Sequence, residues 1–569
     1  MAQHTADRWT ALRRMALLVA VLLYLALTLP QLGLPGLHYD EAKEAGLNAM
    51  EMLQRQNVTA FRTAGIQAGS LFLPLMVQDY IGALNVYLAL PLLALLGVTT
   101  PALRLLGVAC GLATLLLAWR LGRELSRLAR AGTPANGDGW AGELAALLLA
   151  ASPSFVFWSR QGVFVTNVVV TLAVASAWLW LRWLRTGRAG YLYGLAMLAG
   201  LGLWSKLLYL WVLGAMAGVT AVVWLAGRVS RPEQRVALPR PTLRAALLAG
   251  LLFVATLSPL LLFNQQTSGT VQAIFGNLGQ SYYGVENAAF LDNLAVRLGQ
   301  VRTLLRGDHL WYLGGTFANG RALWIGAGLV VLAVILAAAG WRSGRDRASL
   351  PVLLLALLFV ALLLVQSAFT VSDLFVTHYA IVLPFVLLLA ALAADVVLSH
   401  AAQAGGRQSA LLAAGGLLLA ALWLGGDGQA SLRYHQALAR TGGLSTHSDA
   451  INRLAASLEQ QGAVQPLALD WGIEAQVRYL TGNRVQPLEI FGYERLDAPD
   501  GGFAGRAGQF LADPGRLYLA RSAEETIFQG RRAALQTLAA EQGKTLAPLE
   551  MIYDRSGRAM FEVLRIETP

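Results

Sequence analysis

Cysteine is almost absent from this sequence. Its 569 residues include one cysteine, Cys110, which lies inside an apolar run. A lone cysteine cannot form an internal disulfide, and it cannot supply the several thiolates of a structural zinc site. The sequence therefore excludes a small disulfide-stabilised secreted fold and a cysteine-based metal centre.

Charged residues are also scarce. They make up 14% of the chain, whereas apolar residues make up 56%, and an average soluble domain is about 25% charged. The first apolar run follows Arg13 and Arg14 like a signal peptide, but no small-residue cleavage site follows it, so we expect it to be retained. These features predict a polytopic α-helical membrane protein. Runs long enough to cross a bilayer include 15–29, 243–263, 322–339, 350–365 and 379–398.

The positive charge is concentrated in a few loops. The net charge is +11 at pH 7, which in a soluble protein would suggest a nucleic-acid partner. Here the arginines cluster between apolar runs, at 120–130, 182–188, 228–244 and 342–347, and short basic loops stay in the cytoplasm. We therefore predict a protein of the plasma (inner) membrane that binds no nucleic acid.

Placing the basic loops in the cytoplasm gives about eleven transmembrane helices. The N-terminus is then cytoplasmic and the C-terminus extracytoplasmic. The segment 85–98 is short for a span, because about 20 residues are needed to cross the hydrocarbon, so we predict an interfacial or re-entrant helix there. The predicted spans are 15–33, 101–120, 141–158, 167–184, 191–205, 207–226, 243–263, 322–340, 349–366, 378–398 and 408–425.

Three segments fall on the outer side of this arrangement. Two are loops of the membrane domain (1–425), at 34–100 and 264–321. The third segment, 426–569, contains no glycine-rich phosphate-binding fingerprint, and we predict a small extracytoplasmic α/β domain there. Its signals are strand-like runs at 466–471, 485–491 and 516–520, a helix start at Ser522 with Glu525, and a hairpin pattern over 549–566.

A cluster of ionisable residues follows the first apolar run. Its sequence is His38-Tyr39-Asp40-Glu41, and ionisable groups beside a membrane are costly and often mark function. Repulsion between adjacent carboxylates makes one of them a suitable general base. The alternative is structural, with Asp40 as the cap of a helix over 41–54, whose dipole favours acids at its start.

An acidic pair in an outer loop just after the first span resembles the family 39 glycosyltransferases of the GT-C class. That family includes protein O-mannosyltransferases, and the aminoarabinose transferases of lipid A are similar. Further segments match in the same order over residues 15–400: SPSFVFWSR (152–160), GLGLWSK (200–206), SPLLLFN (258–264) and His378-Tyr379 with Pro384.

The resemblance implies a GT-C fold and a membrane enzyme. Such an enzyme transfers a sugar, with inversion, from a polyprenyl-phosphate donor to a lipid, glycan or protein acceptor on the outer face of the membrane. It implies that Asp40 is the base, with Glu41 beside it in the catalytic pair.

The departing phosphate in this reaction needs cations to stabilise it. Lys206 lies between two apolar segments, where a lysine is costly without an anionic partner; the alternative is that its side chain extends from a helix end to the membrane surface. For the arginines of 264–321, the alternative is a solvated helix face. The candidates for binding the phosphate of the sugar donor are Lys206, Arg160, Arg302, Arg306 and His378.

We predict substrate contacts at His309, Trp311 and Tyr312, since aromatic rings stack on sugars, although they also anchor proteins at the membrane interface. The family often has an acidic residue after the Ser-Arg segment, but this chain has no carboxylate over 163–167, where Asn167 keeps a hydrogen-bonding role. Asp308 and His309 are residue types that bind divalent metals, but they lack a ligand set of defined spacing. We expect that no cofactor is required.

Two other classes of protein are alternatives. Many transporters also have about a dozen spans, but they usually consist of paired halves with interrupted helices and do not need a large outer domain. This chain has no internal duplication. A membrane-anchored binding or scaffold protein would not require an acidic pair at the lipid boundary.

The distribution of basic loops predicts the location of the C-terminal domain. A reporter enzyme that is active only outside the cytoplasm should be active when fused after Pro569. If a cytoplasmic reporter works there instead, the eleven-span arrangement is wrong and 85–98 crosses the membrane.

Overall fold

In a computed structural model, the chain is mostly helical. The structure describes residues 2–131, 139–161, 166–229, 238–404, 406–513 and 515–567. The α-helices before the C-terminal domain are α1 (Ala2–Thr28), α2 (Tyr39–Glu41), α3 (Leu47–Leu53), α4 (Leu84–Leu96), α5 (Thr100–Ala129), α6 (Ala141–Ala151), α7 (Pro153–Gln161), α8 (Thr166–Thr186), α9 (Ala189–Ser205), α10 (Leu210–Val229), α11 (Leu243–Thr267), α12 (Gly269–Gly276), α13 (Phe290–Arg306), α14 (Ala322–Arg342), α15 (Ser349–Ser367), α16 (Leu383–Ala404) and α17 (Gly406–Thr441).

Nine of the described helices are long and apolar enough to cross a membrane: α1, α5, α8, α10, α11, α14, α15, α16 and α17. Helices α6 and α7 are bent by 65° relative to each other, and together they are also long and apolar enough to cross a membrane. Counting this pair as one span and adding α9, which has 17 residues, reproduces the predicted set of spans. The polytopic helical fold is confirmed, and its orientation in the membrane stays a prediction.

The first outer segment contains two small hairpins and α4. Strand β1 (Gly65–Ala68) pairs with β2 (Leu71–Pro74), and β3 (Met76–Gln78) pairs with β4 (Ile81–Gly82), both antiparallel. Helix α4 has 13 residues and is therefore about 20 Å long, too short for a hydrocarbon core about 30 Å thick. It packs against α3 and α5, a position that suits an interfacial or re-entrant helix.

The C-terminal domain is built on a five-stranded mixed sheet with the strand order β6-β5-β7-β9-β8. Strand β5 is parallel to β6 and β7, whereas β9 is antiparallel to β7 and β8. Each predicted strand run overlaps one of these strands, and the predicted hairpin overlaps both β8 and β9, so the small α/β domain is confirmed. The bounds are α18 (Ala450–Gln460), β5 (Leu467–Ala468), α19 (Glu474–Leu480), β6 (Leu488–Glu489), α20 (Phe503–Gly508), β7 (Leu517–Arg521), α21 (Arg531–Glu541), β8 (Thr545–Tyr553) and β9 (Ala559–Glu567).

Two boundaries differ from the sequence prediction. Helix α21 begins at Arg531 and not at Ser522, because the Ser522 hydroxyl donates a hydrogen bond to the carbonyl of Ala559 (2.7 Å) and so does not cap a helix. Helix α17 continues to Thr441, so the C-terminal domain begins after it and not at 426. The helix-forming sequence simply extends beyond the end of the apolar run.

The C-terminal domain packs on the first outer segment. Glu51 of α3 is buried and accepts a hydrogen bond from Nη2 of Arg478 on α19 (2.7 Å). The His447 ring stacks between the rings of His38 and Tyr312, at centroid distances of 4.2 and 4.1 Å. These contacts place the C-terminal domain on the same side of the helical bundle as the segment that follows α1.

The backbone of Gly36 lies directly against the chain that enters the C-terminal domain. Its amide donates a hydrogen bond to the carbonyl of His447 (2.8 Å), and a Cβ at this position would lie 2.1 Å from the carbonyl oxygen of Ser448. Gly33 has space for a Cβ, which would meet only Pro101 at 3.9 Å.

We therefore expect Gly36→Ala to separate the C-terminal domain from the first outer segment. Overpacking should cost about 1–3 kcal/mol and lower the Tm measured by intrinsic fluorescence in detergent. Gly33→Ala is the control and should keep the wild-type Tm. Equal Tm values for the two variants would contradict the close packing.

Candidate active site

Asp40 and Glu44 lie one helical turn apart at the start of the first outer segment. His38 caps this helix, because its Nδ1 accepts a hydrogen bond from the Asp40 amide (3.3 Å) while Oε2 of Glu41 accepts one from the His38 amide (3.3 Å). The alternative in which Asp40 is the cap is therefore wrong. A π-helical turn, Ala42–Gly46, follows, a feature that is frequent at functional sites. The Asp40 side chain keeps 18% exposure, so a substrate can reach it.

Glu41 has a different environment. It forms a buried ion pair with Arg104 of α5, with distances of 2.6 Å from Nε to Oε1 and 2.9 Å from Nη2 to Oε2. The two side chains are 3% and 0% exposed. Both oxygens of Glu41 are thus occupied, whereas the neighbouring Asp40 carboxylate has no arginine partner within 4 Å among the described residues.

Lys206 lies where α9 ends and a short 3₁₀ turn begins. Its backbone forms an antiparallel bridge with Ile81, and the amide of Leu207 donates a hydrogen bond to the carbonyl of Tyr80 (3.1 Å). The side chain of Lys206 is only 2% exposed. It is therefore enclosed by the first outer segment and does not extend to the membrane surface.

Glu44, Asp40 and Lys206 influence one another electrostatically. Burial, together with the charge of Asp40, raises the pKa of Glu44 to about 8, while Lys206 and Lys43 oppose this rise. Burial lowers the pKa of Lys206, and the charges of Glu44 and Asp40 oppose the decrease. Oε1 of Glu44 accepts a hydrogen bond from Gln78 (3.4 Å). The carboxyl group of Glu44 therefore holds its proton to a higher pH than a free glutamate does.

His378 lies near Lys206, and Arg297 of α13 lies near His378. Burial, then the charges of Lys206 and Arg297, lower the pKa of His378 well below its usual value. Arg297 of α13 is fully buried; its Nε donates a hydrogen bond to the carbonyl of Ser367 (2.9 Å), and its guanidinium lies over the ring of Tyr379 at 4.8 Å. Nη2 of Arg297 makes no hydrogen bond to the described part of the chain. The site thus combines a reachable carboxylate with a group of buried cations.

Arg160 lies elsewhere. It is fully buried, and it donates hydrogen bonds to the carbonyls of Thr28 (3.2 Å from Nε) and Pro30. Thr28 is the last residue of α1, and Pro30 lies just after it. Arg160 therefore stabilises the end of that helix. The structure does not bring it to Lys206.

The structure does not bring Arg302 and Arg306, at the end of α13, to Lys206 either. Arg302 is exposed, and Nε of Arg306 lies 3.0 Å from Oδ2 of Asp308. His309 packs edge-on against Trp158 at a centroid distance of 4.5 Å, and burial lowers its pKa to about 4. The His309 ring is therefore neutral and packed against Trp158.

The remaining predicted substrate residues are divided between surface and core. Trp311 is 50% exposed, whereas Tyr312 is buried and its hydroxyl donates a hydrogen bond to Gln161 (2.7 Å). Nδ2 of Asn167 donates to the carbonyl of Trp158 (3.0 Å), which fixes the start of α8. Residues 163–165, which precede it, lie outside the described residues.

Sequence reasoning missed Arg104, Glu44 and Arg297. Arg104 had a usable signal, because it is a lone charge in the first turn of an apolar helix. Glu44 stands one turn after Asp40, so helical periodicity could have identified it. Arg297 is one of several arginines of its loop, and nothing in the sequence distinguishes it from Arg302.

The fold and part of the sequence are similar to known glycosyltransferases. The profile of the dolichyl-phosphate-mannose-protein mannosyltransferase family matches residues 84–261. The structure of ArnT from Cupriavidus metallidurans bound to undecaprenyl phosphate has a TM-score of 0.58 with this chain, at 12% identity and with 98% of each chain covered. The apo form of that ArnT gives a TM-score of 0.56, at 13% identity and with 98% of each chain covered. No curated protein sequence matches the chain.

These similarities agree with the resemblance that the sequence motifs indicated. The GT-C fold is confirmed over nearly the whole chain. At 12–13% sequence identity, the likeness to the ArnT structures establishes the fold alone.

The raised pKa of Glu44 predicts a pH-dependent stability. The folded protein holds this proton to about pH 8, whereas the unfolded chain releases it near the ordinary value of 4.5. Between pH 4.5 and about pH 8, the unfolded state thus binds fewer protons than the folded state. The free energy of unfolding should therefore fall by roughly 2–5 kcal/mol as the pH rises through this range. Glu44→Gln should flatten the dependence of Tm on pH between 5 and about 8.

Glu286→Gln is the matched control, since Glu286 is an exposed carboxylate of the loop before α13. It should keep the wild-type slope of Tm against pH. An unchanged slope in Glu44→Gln would show that Glu44 is ionised at neutral pH.

Proposed function

We propose that this protein is a glycosyltransferase of the GT-C class that transfers a sugar from a polyprenyl-phosphate donor to an acceptor hydroxyl. The observation that carries the proposal is that Asp40 lies near the buried Lys206, and that His378 lies near both Lys206 and the buried Arg297. The ArnT structure with the same fold is bound to undecaprenyl phosphate, which supports a polyprenyl-phosphate ligand for this chain as well.

The cations stabilise the leaving group. As the bond between the sugar and the phosphate breaks, negative charge grows on the phosphate, and fixed positive charges in a buried site stabilise it strongly. Lys206 and Arg297 supply this charge. Neutral His378 adds a hydrogen-bond donor.

Asp40 acts as the general base. The acceptor hydroxyl attacks the anomeric carbon from the side opposite the phosphate, which inverts the configuration, and Asp40 takes the hydroxyl proton. Nδ1 of His38 lies 3.7 Å from Oδ2 of Asp40, and burial lowers the pKa of His38. The neighbouring imidazole is therefore neutral at pH 7 and does not neutralise the base.

Glu41 is a positioning residue in this proposal. Its ion pair with Arg104 fixes the backbone that carries Asp40. The reaction takes place on the extracytoplasmic face of the plasma membrane, where the first outer segment and the C-terminal domain enclose the site. The sugar is a hexose or a pentose.

Asp40→Asn should abolish most of the transfer. Asn keeps the shape of the side chain but cannot accept the proton, so release of polyprenyl phosphate from a panel of polyprenyl-phosphate sugars should fall by roughly 10²- to 10⁴-fold. Binding of the sugar donor should be largely retained. Full activity of the variant would exclude Asp40 as the base.

Glu41→Gln serves as the comparison. It should lower the Tm, because Arg104 loses its buried counter-ion, but should reduce turnover less than Asp40→Asn. The reverse order of severity would assign the base to Glu41.

Lys206→Met should weaken binding of the sugar donor, because it keeps the apolar stem and removes the charge. We expect loss of about 1.5–3 kcal/mol, which is typical of a hydrogen bond to a charged group, in a titration with polyprenyl phosphate. Lys544→Met is the matched control, since Lys544 donates to the carbonyl of Leu511 within the C-terminal domain. Equal affinities of the two variants would exclude Lys206 from the phosphate site.

A further inference from the structure

A polar cavity of about 420 Å³ lies between the first outer segment and the C-terminal domain. Its volume falls within the roughly 300–1,000 Å³ of small-molecule sites. On one side it is bounded by the helix that carries Asp40 and by the chain around Phe61. On the other side it is bounded by α19 and by β6, the edge strand that pairs in parallel with β5.

The cavity shares a wall with the candidate active site. Tyr39 and Lys43, on either side of Asp40 in the sequence, both line it. Nζ of Lys43 donates a hydrogen bond to the Tyr39 hydroxyl (3.1 Å), and the Tyr39 ring packs on Trp471 at a centroid distance of 4.8 Å. A molecule held in this cavity would therefore lie against the helix of the proposed base.

The arginines that line the cavity are already neutralised. Arg62 donates a hydrogen bond to Asp79 (2.8 Å), and Arg478 is paired with both Glu51 and Glu474 (2.7 Å each). Lys43 also lines the cavity, and its charge acts on the carboxylate of Glu489. The cationic side chains of the lining thus each have an acidic neighbour. This differs from the cluster of Lys206, Arg297 and His378, where buried positive charge dominates.

Glu489 provides hydrogen-bonding capacity in this cavity that Tyr493 and Tyr39 use only in part. Its Oε2 accepts a hydrogen bond from the Tyr493 hydroxyl (2.6 Å), while its Oε1 is buried without a hydrogen bond to the described residues. A buried acceptor without a partner is costly, and a ligand hydroxyl would satisfy it. Tyr39 and Phe61 add aromatic surface, on which sugar rings stack.

We propose that this cavity binds an uncharged saccharide that forms part of the acceptor. The paired arginines and the additional carboxylate disfavour a phosphate group, while the carboxylate, the hydroxyl of Tyr39 and the aromatic rings suit sugar hydroxyls. The inference rests on the proposed function, because it places the acceptor against the helix that carries Asp40, and it narrows the acceptor from lipid, glycan or protein to a neutral glycan.

The test uses the full chain in lipid nanodiscs and a defined probe. Glycans are released from the envelope of the producing cells and separated by anion exchange into an uncharged pool and an anionic pool. Binding of each pool is measured by saturation-transfer NMR. Release of polyprenyl phosphate from a sugar donor is measured in parallel, with and without each pool.

Two variants test the cavity in different ways. Leu488→Trp fills it from its rim, where Leu488 is 38% exposed, and Glu489→Gln removes the carboxylate while keeping its shape. Glu494→Gln is the control, because Glu494 is an exposed carboxylate of the loop that follows β6. The Tm of each variant is measured to confirm folding.

We expect the uncharged pool to bind to the wild type and to stimulate release of polyprenyl phosphate. Leu488→Trp should reduce binding at least fivefold and Glu489→Gln should reduce it less, while slow hydrolysis of the sugar donor without acceptor is unchanged. Binding of the anionic pool alone, stimulation only by a serine- and threonine-rich peptide, or full binding to folded Leu488→Trp would overturn the inference. Absence of release from every sugar donor by the wild type would instead refute the proposed function, and the binding measurement would still decide whether the cavity holds a saccharide.

Discussion

A buried ion pair between Glu41 and Arg104 fixes the part of the chain on which the candidate site depends. Arg104 also donates hydrogen bonds to the carbonyls of Leu32, Pro35 and Gly36, so one side chain of α5 holds the entire connection from α1 to α2. Removing one partner of such a pair typically costs about 3–5 kcal/mol, because the other charge is left buried and alone. The position of Asp40 is set by this contact.

The same segment also positions the cations. The first outer segment pairs with the end of α9 through Ile81 and Lys206, and the indole of Trp204 donates a hydrogen bond to the carbonyl of Leu75 (2.9 Å). One continuous stretch of chain thus carries the proposed base and encloses the lysine that faces it. The C-terminal domain closes the other side through Glu51 and Arg478. The site is assembled from distant parts of the chain that meet around one loop.

The sequence was sufficient to predict what depends on local pattern. Apolar runs predicted the spans, alternating residues predicted the strands, and charge beside the membrane identified Asp40, Lys206 and His378 as candidates. Contacts between distant segments could not be predicted this way. Glu41 and Arg104 are separated by 63 positions, and Ser522 was misread as a helix cap because its partner, Ala559, lies on a neighbouring strand.

In the proposed site, the phosphate of a bound polyprenyl phosphate lies at Lys206 or Arg297. An experimental structure of the complex tests this position most directly. Cryo-electron microscopy of the protein in nanodiscs with polyprenyl phosphate should place the phosphate about 2.7–2.9 Å from the side-chain nitrogens of Lys206 or Arg297, with Asp40 facing the vacant side of the site. A phosphate held instead by Arg160, Arg302 or Arg306, away from Asp40, would contradict the account.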